Sequence, residues 1–358
     1  MLKMKKARLV LEDKTEFTGI SFGSENSSAG EVVFNTGMVG YPESLTDPSY
    51  TGQILTLTYP LIGNYGIPPK IKENKLMKFF ESEKIHIRGL IVSDYSQNHS
   101  HWNAKQSLGE WLKKNNIPGI YGIDTRALTQ KLREKGVMLG KIIINKDIEI
   151  NDPNILNLVS EVSCKKPIIY EKGKTKILLI DCGVKHNIIR SLTKRNCSVL
   201  RVPWNHDFSD MDYHGVVISN GPGDPKKCIK TIENTKKIIR EKTPLFGICL
   251  GNQIMALAIG ADTYKLKYGH RSQNQPCINT KNKRCYITSQ NHGFAVDSKT
   301  LTSDWEEWFF NANDKTNEGI IHKSGLFRSV QFHPESTPGP LDTTHLFDKF
   351  LEIVRKNS

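Results

Sequence analysis

Hydrophobic and polar positions follow different patterns in the two halves of the chain. Up to about residue 148, short apolar runs alternate with turn-forming residues, as in RLVLEDKTEFTGISFG, EVVFNT and QILTL, and these runs predict β-strands. Two capped helices are predicted among them: one begins after Ser107, and the other begins after Asp124 and ends at Gly136. We therefore predict an α+β domain rich in short strands over residues 1–148.

From residue 175 onward, apolar strands alternate with amphipathic helices. Strands are predicted in KILLIDCG, CSVLRVPW, GVVIS and TPLFGI, and helices in KHNIIRSLTKRN, TIENTKKIIREK and LGNQIMALAIGA. Two later strands, RCYITSQNHGFAV and GLFRSVQFHPES, precede an amphipathic helix, THLFDKFLEIVRK. This alternation predicts an α/β domain over residues 175–358, built on a mostly parallel, doubly wound sheet. The polar segment 149–174 is predicted to be a linker.

Composition and charge exclude several classes of protein. The chain has 358 residues, of which 37% are hydrophobic and 24% charged, so it can form two cores and is not predicted to be disordered. The net charge of +13 comes from lysines spread along the chain without a recognition motif, so no nucleic-acid partner is predicted. No apolar run approaches the roughly 18 residues of a membrane span. Acidic residues interrupt the basic start before an apolar region develops, and the seven cysteines include no CxxC pair, so we expect a reducing, cytoplasmic location.

The sequence Gly247-Ile248-Cys249-Leu250-Gly251 is the sharpest chemical feature. It joins a predicted apolar strand directly to a predicted helix and has the G-x-S-x-G pattern of a nucleophile elbow, with cysteine in the serine position. So tight a turn leaves no room for Cβ atoms beside the nucleophile, which explains the flanking glycines. The helix N-terminus favours a thiolate, and the N–H of Leu250 is a natural oxyanion donor. Cys249 is therefore a candidate nucleophile.

A cysteine nucleophile needs a base and a group that orients the base. His333 and Glu335, in VQFHPES, lie two residues apart at the end of a predicted strand, so their side chains can share one face. Glu335 would then hold the imidazole in one tautomer. An HPE sequence alone is weak evidence for a catalytic histidine, but together with the elbow it predicts a Cys–His–Glu triad.

The remaining histidines carry less information. His292, in QNHGF, has structural and pocket-lining interpretations that are about equally favoured, whereas His270, in YGHRS, is predicted to be a loop histidine. His99 and His101 lack nearby cysteine or carboxylate ligands at suitable spacing, so a solvated loop is favoured and no metal site is predicted. The turn NGPGD after the strand GVVIS is too poor in glycine for a phosphate loop, and an oxyanion or carboxamide pocket is favoured there.

Four motifs in order, SNGPGDP, PLFGICLGNQ, QNHGFAV and QFHPES, resemble the class I (triad) glutamine amidotransferase domain. Motifs in the first half of the chain, with one from the second, indicate which family of amidotransferases it resembles. FNTGMVGYPESLTDPSYTGQILTLTYPLIGNYG, GIDTRALTQKLREKG and DCGVKHNIIRSL are similar to the small, glutaminase subunit of carbamoyl-phosphate synthetase. Two departures are visible: Asn252 stands where many members of the family have histidine, and YGHRSQNQP is poorer in glycine and histidine than the family pattern.

The resemblance implies roles for individual residues. It implies that Cys249 is the nucleophile, that His333 is the general acid and base, and that Glu335 is its partner. It also implies a glutamine pocket, with His292 as a second-tier candidate. The pocket residues so implied are Ser49, Gly221, Gly223, Leu250, Gln253, Asn291, Gly293 and Phe294.

The resemblance further implies a partner protein for the ATP-dependent step, because this sequence contains no nucleotide-binding motif. Ammonia would pass to the large synthetase subunit, where ATP and Mg²⁺ would support formation of carbamoyl phosphate for arginine and pyrimidine biosynthesis. No cofactor is predicted in this chain. Three alternatives remain open: an amidotransferase subunit for another acceptor, as in anthranilate or guanylate synthesis; a free-standing cysteine hydrolase of γ-glutamyl compounds; and a basic nucleic-acid-binding protein with a vestigial fold.

Overall fold

The structure is a computed structural model that describes residues 5–358, so the first four residues of the basic start lie outside the described residues. The chain forms two compact units, of which the first ends at Ile155 and the second is Leu156–Ser358. Within residues 5–358, no helix has both the length and the hydrophobicity required to cross a bilayer.

The described part of the first unit is built on nine strands. They are β1 (Lys6–Leu11), β2 (Glu16–Ser21), β3 (Ser28–Asn35), β4 (Gln53–Leu57), β5 (Lys72–Glu73), β6 (Leu76–Met77), β7 (Gly89–Val92), β8 (Gly119–Tyr121) and β9 (Met138–Ile143). Seven of them close into a barrel in the order β1-β2-β8-β7-β4-β3-β9, and β5 pairs with β6 in a separate ribbon. Strands β3, β4, β7 and β8 are parallel neighbours, whereas β1 and β2 form an antiparallel hairpin.

Two of the three helices described in the first unit follow predicted capping signals. The three helices are α1 (Tyr41–Leu45), α2 (Leu108–Lys114) and α3 (Thr125–Lys135). Ser107 and Glu110 form a capping box at the start of α2. The side chain of Asp124 caps α3, and Gly136 ends that helix with a positive φ of 106°. Both predicted helices are therefore confirmed within a few residues.

The second unit is built on one ten-stranded sheet. Its strands are β10 (Ile168–Tyr170), β11 (Thr175–Asp181), β12 (Cys197–Pro203), β13 (Gly215–Ile218), β14 (Leu245–Ile248), β15 (Thr263–Asn279), β16 (Cys285–Val296), β17 (Trp305–Asn311), β18 (Asn317–His322) and β19 (Phe327–Val330). Their order is β10-β12-β11-β13-β14-β19-β18-β17-β15-β16. The five strands from β12 to β19 in this order are parallel, and the others pair antiparallel.

Helices flank this sheet, and apolar residues on the central strands are completely buried. The helices are α4 (Val159–Val162), α5 (His186–Lys194), α6 (Ile229–Arg240), α7 (Leu250–Ala258) and α8 (His345–Lys356). The core includes Leu178, Val216 and Leu245 from the parallel strands together with Ile254 of α7. Parallel strands that alternate with helices along the chain confirm the predicted α/β class.

The structure corrects one local prediction and adds to another. His270 lies in the long strand β15, where it pairs with His292 of β16, and is not a loop histidine. Bulges between Lys265 and His270 and between Ser272 and Gln275 interrupt that pairing, so the segment lacks the regular alternation that predicts a strand. Inside segment 149–174, β10 pairs with β12 and forms an edge of the second sheet.

Candidate active site

Cys249 lies at the turn between β14 and α7, at the carboxyl edge of the parallel strands. Its φ of 54° and ψ of −103° are strained for a residue with a side chain, as expected at a nucleophile elbow. A Cβ on Gly247 would lie 2.6 Å from the carbonyl oxygen of Gly251, and one on Gly251 would lie 2.3 Å from that of Ile218. Both flanking glycines are therefore required by close backbone contacts, as the sequence predicts.

His333 and Glu335 lie three and five residues after the end of β19, the neighbour of β14. The Nδ1 of His333 lies 2.7 Å from the Oε1 of Glu335, and both side chains are almost completely buried. The backbone N–H of Cys249 donates to the carbonyl of Val330 at 2.8 Å, which fixes the elbow beside the histidine segment. The other ring nitrogen, Nε2, does not face Glu335; the imidazole also interacts with the Cys249 side chain, so Nε2 can take part in proton transfer.

Opposite charges lie next to each other in this buried site, and they change the pKa values of His333 and Glu335. Burial lowers the pKa of His333, but the charge of Glu335 and the interaction with Cys249 outweigh this effect and raise the pKa to about 10. Burial raises the pKa of Glu335, but Lys185 and His333 lower it to about 2. The arrangement therefore favours an imidazolium beside an ionised carboxylate at neutral pH.

Lys185 is a member of the site that the sequence analysis did not identify. Its Nζ lies 3.1 Å from the Oε1 of Glu335 and donates to the carbonyl of Ser336 at 2.6 Å, although its side chain is only 3% exposed. A lysine at the start of a predicted helix is usually solvated, so the sequence around Lys185 did not indicate that it is buried.

Asp181 holds the loop that carries this lysine. Its fully buried Oδ1 accepts from the N–H groups of Gly183 and Val184, and its Oδ2 is paired with Arg201 at 2.6 Å. The N–H of Lys185 donates to the Oδ1 of Asn220. The loop is thus fixed from two sides, so Lys185 can be directed toward Glu335 at a low entropic cost.

Two further groups approach the sulfur of Cys249. The thiol lies 3.7 Å from the carbonyl oxygen of Asn291, and the Nε2 of Gln331 lies 3.7 Å from the same sulfur. Gln331 was not predicted as a site residue. Its signal was its place in the QFHPES motif, two residues before His333.

A buried amide network joins α7 to the histidine segment. The Nε2 of Gln253 donates to the carbonyl of Phe294 at 2.8 Å and to the Oε1 of Gln331 at 3.1 Å. Asn252 donates to the same Gln331 oxygen and accepts from the hydroxyl of Ser329. Asn252, the departure noted in the sequence, therefore has a structural role in orienting Gln331.

The turn after β13 meets the elbow through Gly221. A Cβ on Gly221 would lie 2.0 Å from the carbonyl oxygen of Cys182 and 2.8 Å from the side chain of Leu250, so only glycine fits. Leu250 is the first residue of α7, where helix N–H groups lack an intrahelical acceptor. Gly223 has a φ of 82° and packs near Leu158. The structure thus places Gly221 and Leu250 together, as an oxyanion site requires.

The remaining predicted pocket residues are distributed over β16 and the first unit. Gly293 approaches the guanidinium of Arg271. His292 is fully buried, and burial holds its pKa well below the usual value, so its imidazole is neutral. Ser49 belongs to the first unit, where it is buried in a turn capped by Asp47. The role of Ser49 in a glutamine pocket stays a prediction.

Family comparisons agree with this fold and geometry. The second unit has the fold of a class I glutamine amidotransferase, and a family model described as "Glutamine amidotransferase class-I" matches residues 178–353. A second model, "Carbamoyl-phosphate synthase small chain, CPSase domain", matches residues 9–142. The chain thus carries a carbamoyl-phosphate synthase small-chain domain followed by a class I glutamine amidotransferase domain, which confirms the resemblance seen in the sequence.

Three curated relatives are similar over nearly the whole chain. Multifunctional protein CAD of Squalus acanthias is 55% identical over 98% of this chain and 16% of its own length. Carbamoyl-phosphate synthase (ammonia), mitochondrial, of Homo sapiens is 51% identical over 99% of this chain and 24% of its length. Multifunctional protein ura1 of Schizosaccharomyces pombe is 50% identical over 98% of this chain and 17% of its length. The chain thus spans a quarter or less of these relatives.

Proposed function

We propose that this chain hydrolyses glutamine to glutamate and ammonia and supplies the ammonia to a carbamoyl-phosphate synthetase. The observation that carries the proposal is the buried series Lys185, Glu335 and His333, which ends beside Cys249 on the elbow. Family membership alone does not decide the activity, because the name of the human relative gives ammonia as its substrate. The nitrogen source therefore depends on these side chains.

In the first half of the reaction, the Cys249 sulfur attacks the carboxamide carbon of glutamine. A C–S bond forms, and the resulting oxyanion is stabilised by the N–H groups near Gly221 and Leu250, each worth about 3–4 kcal/mol in the transition state. His333 then gives its Nε2 proton to the leaving nitrogen, the C–N bond breaks, and ammonia departs from a glutamyl thioester. The raised pKa of His333 favours this order, because the imidazole begins as an acid.

In the second half, His333 has become a neutral base. It takes a proton from water, whose oxygen attacks the thioester carbon. The C–S bond breaks, glutamate leaves, and the thiolate and imidazolium return. Glu335 remains ionised throughout because Lys185 and His333 hold its pKa low.

The ammonia is proposed to pass to a synthetase region, on a large subunit or on the same polypeptide, that uses ATP, Mg²⁺ and bicarbonate. Support comes from the small-chain family model and from the far greater length of the relatives. Free ammonia is largely protonated at neutral pH and is then no longer a nucleophile, so a sheltered route is required. Arginine and pyrimidine synthesis would consume the carbamoyl phosphate. A cytoplasmic location is part of the proposal, although the human relative is named as mitochondrial.

The test uses Cys249→Ser in the complex with the synthetase, and Cys285→Ser as the control because Cys285 is an exposed thiol. We expect Cys249→Ser to abolish glutamine-dependent carbamoyl phosphate formation while ammonia-dependent formation continues, and we expect Cys285→Ser to retain both. Loss of both activities in folded Cys249→Ser, or retention of the glutamine-dependent one, would contradict the proposal.

A further inference from the structure

Three buried side chains that can bind a metal lie close together, apart from the catalytic groups. They are His270 of β15, His292 of β16 and Glu318 of β18, which are 7%, 5% and 0% exposed. One ligand atom from each lies within 4.8 Å of the others. The Nδ1 of His270 is 3.3 Å from the Oε1 of Glu318, and the Nε2 of His292 is 3.9 Å from the same oxygen. The mechanism above uses none of these atoms.

The outer nitrogens of the two imidazoles are already bound. The Nδ1 of His292 donates to the carbonyl of Phe294 at 2.9 Å, because a carbonyl can only accept. The Nε2 of His270 lies 2.8 Å from the carboxylate of Asp314 and donates to it for the same reason. In the neutral rings, the inner nitrogens, Nδ1 of His270 and Nε2 of His292, therefore present lone pairs.

Lone pairs and carboxylate oxygens thus face one another in a buried space. Within the described part of the chain, the Nδ1 of His270 and the Oε2 of Glu318 have no hydrogen-bond partner. The Oε1 of Gln290 lies 3.2 Å from the Nε2 of His292 and adds another oxygen on this side. The Oε1 of Glu318 accepts from the Nδ2 of Asn311 at 3.3 Å, whereas the two buried acceptors without a donor are costly, so this space favours a cation.

We propose that His270, His292 and Glu318 bind a divalent transition metal ion, and that zinc is the ion they fit best. Imidazole nitrogen and carboxylate oxygen bind zinc at about 2.0–2.2 Å, which separates tetrahedral ligands by about 3.4 Å. The separations of 3.3 and 3.9 Å are close to this value, and the third pair lies within 4.8 Å, so binding would draw the two imidazoles toward each other. Asp314 and the Phe294 carbonyl supply the outer hydrogen bonds that orient metal-binding histidines.

The metal would join three strands, because its three buried ligands lie on β15, β16 and β18. The carbonyl of Glu318 accepts from the N–H of Gln331 at 2.9 Å, and His292 directly follows Asn291, whose carbonyl faces the Cys249 sulfur. A metal bound here would stabilise the backbone around Asn291 and Gln331, which line the active site. The inference rests on the ligand geometry and does not depend on glutamine hydrolysis.

The alternative occupant of this space is a proton on the Nδ1 of His270, which would bridge Asp314 and Glu318 through an imidazolium. The experiment must therefore detect the metal itself. The full chain with Cys249→Ser, which removes a competing thiolate, is dialysed against chelator, reconstituted with zinc and analysed by mass spectrometry for zinc per chain. We expect about one zinc bound per chain, as in a single closed site.

Variants of the cluster locate the metal in this background. Glu318→Gln and His270→Asn should each lose the bound zinc, whereas Asp314→Asn, which removes only an outer hydrogen bond, should weaken zinc binding by about 10–100-fold. His101→Asn, in an exposed loop, is the matched control and should retain zinc. Zinc that is absent from the parent protein, or is retained by both ligand variants, would overturn the proposal and favour the proton.

X-ray absorption at the zinc edge provides a readout that needs no ligand variant to fold. Nitrogen and oxygen neighbours at about 2.0–2.2 Å, with no sulfur, are expected for this site. A sulfur neighbour would place the zinc at a cysteine and contradict the assignment. The spectrum therefore decides the question even if circular dichroism shows that Glu318→Gln is unfolded.

Discussion

The ammonium group of Lys185 lies 3.1 Å from the carboxylate of Glu335, and the two side chains are 3% and 0% exposed. A buried charge is costly unless it is paired, and here each charge compensates the other. The same carboxylate oxygen binds the Nδ1 of His333. One oxygen of Glu335 thus links a buried cation to the imidazole that faces the nucleophile.

Lys185→Met should damage both stability and activity. Removing one member of a buried pair leaves an uncompensated charge, which costs about 3–5 kcal/mol in the free energy of unfolding. The pKa of Glu335 should rise, so the acidic limb of the pH profile for glutaminase kcat/KM should move to higher pH. Lys194→Met, an exposed position on the same helix, is the control. A variant with wild-type stability and pH profile would refute this role.

The raised pKa of His333 makes protein stability depend on pH. A group whose pKa rises from 6.5 to about 10 on folding contributes stability that is fully present below pH 6.5 and is lost as pH rises through about 10. The free energy of unfolding of wild type should therefore exceed that of His333→Asn by an amount that shrinks between pH 6.5 and 10. Denaturant titrations at several pH values measure this difference. A constant difference would show that the imidazole is not charged in the folded state.

Gly251→Ala should lower stability by about 1–3 kcal/mol, as overpacking does, and should reduce glutaminase activity by displacing the elbow. The new Cβ would lie 2.3 Å from the Ile218 carbonyl oxygen. Gly260→Ala is a control, because it meets no atom within 4 Å and adds only the strain of a φ of 88°, about 1–2 kcal/mol. Thermal unfolding and glutamine turnover measure the two effects. Equal activity in both variants would contradict the requirement for close packing at the elbow.

Gln331→Glu tests the amide beside the sulfur. A negative charge 3.7 Å or so from Cys249 disfavours the thiolate, so we expect at least about a tenfold loss in kcat/KM, which corresponds to about 1.4 kcal/mol. The rate of alkylation by iodoacetamide should also fall, and it reports on the thiolate without needing glutamine. Gln130→Glu, on an exposed face of α3, is the matched control. Unchanged alkylation would exclude an electrostatic role for Gln331.

The sequence predicted those helix ends and turns that depend only on residues close together along the chain. The capping box at Ser107 and the glycine stop at Gly136 act within one helical turn, so the bounds of α2 and α3 could be predicted closely. The elbow at Cys249 was predictable for the same reason, because its glycines relieve contacts that any strand-to-helix turn of this tightness creates.

Non-local pairing was not predictable in this way. The closed barrel depends on parallel contacts among β3, β4, β7 and β8, which no local pattern specifies. Strand β15 was missed because its sequence is mostly polar and its bulges break the two-residue period. Its polar side chain His270 is buried where a distant turn provides a hydrogen-bonding partner, Asp314.

The sequence by itself determined the α/β class of the second half, the elbow, and the pairing of an imidazole with a carboxylate two residues away, because each depends on short-range geometry. Only the tertiary structure decided that Lys185 is a buried partner of Glu335, that Gln331 reaches the sulfur and that His270 lies against His292 and Glu318. The physical reason is desolvation: a polar side chain is tolerated in the interior only where a partner meets it, and here many of those partners come from distant parts of the chain.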